Sequence, residues 1–166
     1  MKPIVLLLFF TLASCTKAQK VVFPQEALAD VFLSLEGEQI AFSKILESHK
    51  GEVVFVDIWA SWCRDCIKGM PVLRQLQKEY NAVTFLFLSL DRSEKKWKQG
   101  IEKYPLVGEH YFSFKGWNSP FNKAIDLDWI PRYMIIDAEG KIALYDAETL
   151  NDPHLLKVLK EITNRN

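Results

Sequence analysis

Hydrophobic positions along the chain fall into blocks whose spacing alternates between strand-like and helical. Residues 31–35 and 39–42 are short apolar runs on either side of Glu36-Gly37-Glu38, which predicts two strands about a glycine turn, an N-terminal β-hairpin. Ser43 is placed to cap a short helix that carries Ile45 and Leu46 and stops at Gly51. Residues 52–60 are almost unbroken in apolar and β-branched side chains, the pattern of a central strand buried on both faces.

Beyond that strand, Ile67, Met70, Leu73, Leu76 and Tyr80 recur at helical spacing, with Pro71 inside the pattern where a kink is expected. Residues 83–90 read as a second buried strand ended by Asp91, and 93–104 as an exposed helix with Trp97 and Ile101 on one side. The stretch 104–117 is aromatic and glycine-bearing without a period and yields no element. Asn118-Ser119-Pro120 starts a helix ending near Ile125, 132–137 and 142–145 form a hairpin about 138–141, and Asn151-Asp152-Pro153 opens a last helix. Its predicted core face carries Leu155, Leu156, Leu159 and Ile162. Alternating strands and helices imply an α/β fold: a central mixed sheet flanked by helices on both faces.

The chain has 166 residues, 49% hydrophobic and 13% aromatic, enough for one domain with a full core and too apolar for disorder. Basic and acidic residues balance at 21 each, leaving no positive excess to neutralise phosphates, so no nucleic-acid partner is expected. Residues 1–14 combine one lysine with an apolar run over 4–13, the layout of an export signal and too short for a stable spanning helix. The end of that run, Leu12-Ala13-Ser14-Cys15, resembles the lipobox of bacterial lipoproteins, which implies lipidation at Cys15 with residues 15–20 as lipidated cysteine and spacer. An ordinary signal peptide or an uncleaved anchor is the alternative, and either still places the domain, residues 21–166, outside the cytoplasm.

Two further cysteines, Cys63 and Cys66, stand three apart where the central strand gives way to a helix. A thiol at a helix N-terminus meets the positive end of the dipole and unpaired N–H groups, which lower its pKa, so Cys63 is the expected nucleophile. Cys66, one turn on, can resolve a mixed disulfide formed at Cys63. Asp57 is the odd acid in the apolar strand. Buried, it would have a raised pKa and exchange a proton with Cys66; at an exposed edge or in a fixed hydrogen bond it would not. Arg64 favours the Cys63 thiolate and Asp65 opposes it, the two redox-tuning candidates. A metal site lacks ligands, since only His49, His110 and His154 are scattered elsewhere, so no metal is expected. A purely structural disulfide would close too small a loop to be a useful staple.

The stretch VDIWASWCRDC resembles the active site of the thioredoxin superfamily, and IPRYMIIDAEGKI resembles its second signature, a proline, a strand, an aspartate, a glycine turn and another strand. The gap of 65 positions from Cys66 to Pro131 and the lipoprotein-like start are similar to the extracytoplasmic TlpA and ResA type of thiol–disulfide oxidoreductase. The resemblance implies a thioredoxin-like fold with an insertion between the CxxC helix and the cis-proline strand. It also implies a cis Pro131 facing the cysteines, Ile130 pairing its backbone with an extended substrate, Trp62 on the substrate-facing surface, and Asp57 as the buried acid. No cofactor is expected beyond the redox-active Cys63–Cys66 disulfide. Three positions depart from the pattern: Asp65 where many relatives have proline, Gly69 where some have a tuning glutamate, and Arg132 in place of the common threonine.

The expected function is reduction of disulfides in exported proteins by a membrane-anchored dithiol, recharged by a membrane thiol–disulfide carrier and facing the periplasm. The same site could run as an oxidant, its direction set by potential. A peroxidase would need a Thr-x-x-Cys arrangement that residues 57–66 lack. A non-catalytic binding module would use exposed aromatics such as Trp97, Phe112 and Trp117.

Overall fold

The computed structural model describes residues 22–164, so the expectations for the export signal, for Cys15 and for its spacer lie outside the described residues. In chain order the elements are α1 (Gln25–Leu28), β1 (Val31–Ser34), β2 (Gln39–Ala41), α2 (Phe42–Ser48), β3 (Val54–Trp59), α3 (Arg64–Glu79) and β4 (Thr84–Ser89). Then follow α4 (Glu94–Lys103), β5 (Glu109–Ser113), a 3-10 turn (Gly116–Asn118), α5 (Pro120–Ala124), β6 (Arg132–Ile136), β7 (Ile142–Ala147) and α6 (Pro153–Thr163). The strands form one mixed sheet in the order β2-β1-β5-β4-β3-β6-β7. β3, β4 and β5 run parallel, and every other neighbouring pair is antiparallel. Helices flank the sheet, as the alternation of patterns requires.

Every residue of β3 is buried, which is why its sequence reads as a continuous apolar run rather than an alternating one. With β4 on one side and β6 on the other, β3 delivers its C-terminal end to the middle of the sheet's edge, and the chain turns there into α3.

The stretch left without a period contains β5, which lies between β1 and β4 and ties the N-terminal hairpin to the central strands. His110 and Ser113 interrupt its apolar run, and that hides it from a pattern reading. Both are buried. His110 stacks on Phe87 at 4.7 Å between ring centroids, its Nε2 lies 3.2 Å from the Leu106 carbonyl, and burial pushes its pKa down. Gly108 precedes this strand at φ +145°, where a Cβ would lie 2.4 Å from the Phe85 carbonyl oxygen. Only glycine lets the chain run that close to β4.

Smaller differences follow from local chemistry. Ser43 does not cap α2: the cap lies two residues earlier, at Ala41, which offers no side-chain bond. Leu156 is half-exposed because the buried stripe of α6 runs through Leu155 and Leu159. The short helix α1 carries too few residues to show a period. Trp97 and Phe112 are core side chains, stacked at 5.8 Å, so of the three aromatics weighed as a binding surface only Trp117 is exposed.

A cluster of four phenylalanines ties the N-terminal segment, β1 and α2 to α5. Phe42 meets Phe121 at 4.5 Å and Phe23 at 5.0 Å, and Phe32 meets Phe121 at 5.6 Å. Burying each such side chain contributes about 2–3 kcal/mol. The cluster thereby fixes α5, the element that leads through residues 125–131 into β6.

Candidate active site

Cys63 occupies the N-cap position of α3 in extended backbone conformation, and its sulfur accepts the Cys66 backbone N–H at 3.1 Å. The predicted helix start is therefore occupied by a sulfur where most helices place serine, threonine or aspartate. Cys63 and Cys66 are joined by a disulfide with 5.3 Å between their Cα atoms, one helical turn apart. Both are nearly covered, at 6% and 4% exposure, while the intervening Arg64 and Asp65 and the preceding Trp62 are exposed. Asp65 sits in the first turn of α3 and pairs with Lys68 at 3.0 Å, which offsets part of its opposition to a thiolate.

Pro131 follows a cis peptide bond and is buried. The Ile130 carbonyl oxygen lies 3.6 Å from the Cys63 sulfur. The fold thus brings together two signatures that are far apart in sequence, because β6 pairs antiparallel with β3 and its beginning meets the end of β3.

Asp57 is buried and stands directly opposite Tyr133 of β6 in the ladder, with Phe87 of β4 on its other side. The Asp57 Oδ1 atom has no hydrogen-bond partner. Loss of water around the carboxylate, with no donor or cation to replace it, pushes its pKa up to about 8. Of the two readings open for Asp57, the buried one holds. Tyr133 is likewise raised, first by burial and then by the Asp57 charge.

Helix α3 runs over this face of the sheet: a Cβ on Gly69 would lie 3.0 Å from the Tyr133 hydroxyl and 3.5 Å from Leu150. Where some relatives place a glutamate, a side chain here would need the Tyr133 hydroxyl to give by a few tenths of an ångström. Gly69 lines a groove of ≈ 440 Å³ shared, among others, with Asp65, Trp129, Pro131, Tyr133 and Leu150. Trp129, 51% exposed, lies two residues before the cis-proline and was not among the residues singled out in the sequence. Its signal was available, since an indole in a loop next to a signature proline has no core to fill.

Arg132 is buried on the sheet face opposite Asp57, paired with exposed Asp128 at 2.6 Å, and its Nε has no partner. Asp128 and Arg132 bracket Trp129, Ile130 and Pro131, so the ion pair closes the loop that carries them. A second residue missed in the sequence is Asp91, which binds Ser61 across the end of β3.

The sequence model of the family described as "Thioredoxin-like" matches residues 51–142, from the start of β3 through the cis-proline strand. The Thioredoxin-like protein YneN of Bacillus subtilis is 32% identical over 113 residues, 66% of this chain and 62% of that protein. Thiol-disulfide oxidoreductase ResA of Bacillus thuringiensis subsp. konkukian is 28% identical over 150 residues, 89% of this chain and 83% of that one. Among solved structures, the thioredoxin domain of a thiol-disulfide oxidoreductase from Bacteroides vulgatus superposes with a TM-score of 0.70 at 25% identity, covering 89% of this chain and 99% of that one. With these relatives and a cysteine pair at the head of α3, the chain belongs to the thioredoxin-like family, as a thiol–disulfide oxidoreductase.

Proposed function

We propose that the protein reduces disulfides in exported proteins, with Cys63 as nucleophile, Cys66 as resolving thiol and Asp57 as the proton acceptor between them. The observation that carries this reading is the Cys63 sulfur at the helix N-terminus, 3.1 Å from the Cys66 N–H and 3.6 Å from the Ile130 carbonyl. In the reduced enzyme the Cys63 thiolate attacks one sulfur of the substrate disulfide, forming a mixed disulfide as the other substrate sulfur leaves and takes a proton. In molecules whose Asp57 is ionised, Cys66 gives its proton to that carboxylate and its thiolate attacks the Cys63 sulfur; the second substrate sulfur leaves as a thiolate and takes up the proton that Asp57 returns, directly or through water. Substrate has gained two electrons and two protons, and the enzyme is left with the Cys63–Cys66 disulfide.

Substrate binding in this reading uses the Ile130 backbone, which pairs with an extended segment beside Pro131, and the exposed Trp62 indole next to Cys63. Arg64 and the Asp65–Lys68 pair tune the thiolate from the first turn of α3. Lipid at Cys15, after removal of residues 1–14, would hold residues 21–166 at a membrane surface on the periplasmic side, where a membrane thiol–disulfide carrier returns the enzyme to the dithiol. The support for that placement is the layout of residues 1–20. Trp97 and Phe112, two of the three aromatics weighed for a non-catalytic binding module, are buried in the core.

A reduction assay on insulin with dithiothreitol as electron source tests the chemistry. Cys63→Ser is expected to lose essentially all activity, and Cys66→Ser to accumulate mixed disulfides with the substrate. Activity surviving in Cys63→Ser would remove Cys63 from the nucleophile's role. For the anchor, Cys15→Ser is expected to abolish incorporation of labelled palmitate and release the protein from the membrane fraction; unchanged labelling would exclude Cys15.

The Asp57 carboxyl keeps its proton to about pH 8 in the folded protein, whereas in an unfolded chain it ionises near pH 4. The folded state therefore binds more protons between these values. The resulting stability is fully present below about pH 4 and is lost as the pH rises toward 8. In Asp57→Asn, denaturant titrations of the oxidised protein should show a flatter profile from pH 5 to 8 and a gain on the order of 3 kcal/mol at pH 7. The same variant should slow resolution by Cys66 by about 10²-fold. A profile parallel to that of the wild type would show that Asp57 does not titrate in this range.

A further inference from the structure

The chain between the end of β3 and the head of α3 is only four residues, 60–63, and it holds both exposed Trp62 and Cys63. One hydrogen bond closes it on itself, from the Cys63 N–H to the Ala60 carbonyl at 3.0 Å. Its other attachments come from outside. The buried Asp91, two residues past the end of β4, accepts the Ser61 N–H on both carboxylate oxygens at 3.1 and 3.2 Å, and the Ser61 hydroxyl at 2.6 Å. The Ser89 hydroxyl, fully buried, donates to the second oxygen at 2.9 Å while accepting the Asp91 N–H at 3.0 Å. The Ser61 hydroxyl bond has the length of a charge-assisted one, and the Ser61 N–H is shared between the two oxygens.

Helix α4 closes the opposite side. A Cβ on Gly100 would stand 2.5 Å from the Ser61 Cβ and 3.4 Å from the Trp59 ring, so the helix backbone rests directly on the loop. The parallel ladder continues past β3 as well, with the Leu90 N–H donating to the Trp59 carbonyl at 2.8 Å. Ser61 is thus held from two directions, by a carboxylate and by a helix with no side chain at the contact.

We propose that Asp91 is a positioning residue of thiol–disulfide exchange, acting through Ser61 to hold Trp62 and the Cys63 sulfur in one place throughout the redox cycle. The inference rests on the reading of Cys63 as nucleophile. Sulfur-to-sulfur attack demands alignment, and misplacement of a reacting group by about 1 Å costs up to about 10²-fold in rate. The Cys63 sulfur must also stay on the Cys66 N–H, which lies one turn into a helix whose own position α3 packing fixes. Freeing the loop moves the sulfur relative to that donor.

Two variants test this. Asp91→Asn replaces an acceptor with an amide that turns N–H toward N–H, and Ser61→Ala removes only the shortest bond, leaving the fold less exposed to loss. The reduced proteins would be reacted with insulin and with the small disulfide dithionitrobenzoate, and amide hydrogen exchange would be followed by NMR. The expected result is a roughly 10-fold slower reaction with both disulfides in Asp91→Asn and a smaller loss in Ser61→Ala. Amides of Trp62 and Cys63 should exchange at least 10-fold faster while those of 55–58 in β3 keep their protection. Unchanged rates and loop amides would overturn the proposal, and so would a slowed reaction with protection lost across β3, which marks a merely structural role. Should Cys63→Ser retain activity, the nucleophile assignment fails irrespective of Asp91; a Cys63-dependent reaction indifferent to Asp91→Asn removes the positioning role alone.

Discussion

A single hydrogen bond organises the chemistry of this protein, the one the Cys66 backbone N–H donates to the Cys63 sulfur at the head of α3. Four N–H groups at any helix start lack partners, and a sulfur at the cap is stabilised as thiolate by them and by the dipole behind them. That stabilisation is what lets a cap sulfur attack as a thiolate. Gaining it requires only that the cap residue stay where the helix begins, and most of the surrounding structure serves that requirement.

β3 sets the position because it is buried on both faces and hydrogen-bonded on both edges, so its end has no freedom to move. The partner surface comes from β6, whose antiparallel pairing brings Ile130 and Pro131 to the cysteines. That loop is in turn fixed by α5 through the phenylalanine cluster and by the Asp128–Arg132 pair. Below lies Asp57, whose burial pushes its pKa up to about 8. The site is a rigid frame around two sulfurs, with Trp62 and Trp129 as its exposed indoles and a groove where Gly69 carries no side chain.

How much of this could be read from residues alone varied with the physics of each element. The continuous run 52–60 and the period of Ile67, Met70, Leu73 and Leu76 announced β3 and α3 because both are governed by burial, which composition reports directly. The helix starts at Ser119-Pro120 and Asp152-Pro153 were visible through the local chemistry of caps. β5 was not, since His110 and Ser113 break its apolar run and are nonetheless buried in the fold. The cysteine pair and Pro131 were legible as motifs. Asp91 was not, because its role depends on which strand ends become neighbours, whereas Trp129 carried a signal beside the signature proline that was passed over. Arg132 was noted as a departure, but its burial and its pairing with Asp128 emerged only from the loop's path.

The central claim is that Cys63 and Cys66 form an exchanging couple rather than a staple. Its most direct measure is the equilibrium reduction potential of the pair at pH 7, titrated in defined thiol buffers and read by alkylation. A redox-active pair predicts a single two-electron transition between about −270 and −120 mV, the span from thioredoxin to the strong periplasmic oxidants. A value below about −300 mV, where structural disulfides of secreted proteins lie, would contradict it.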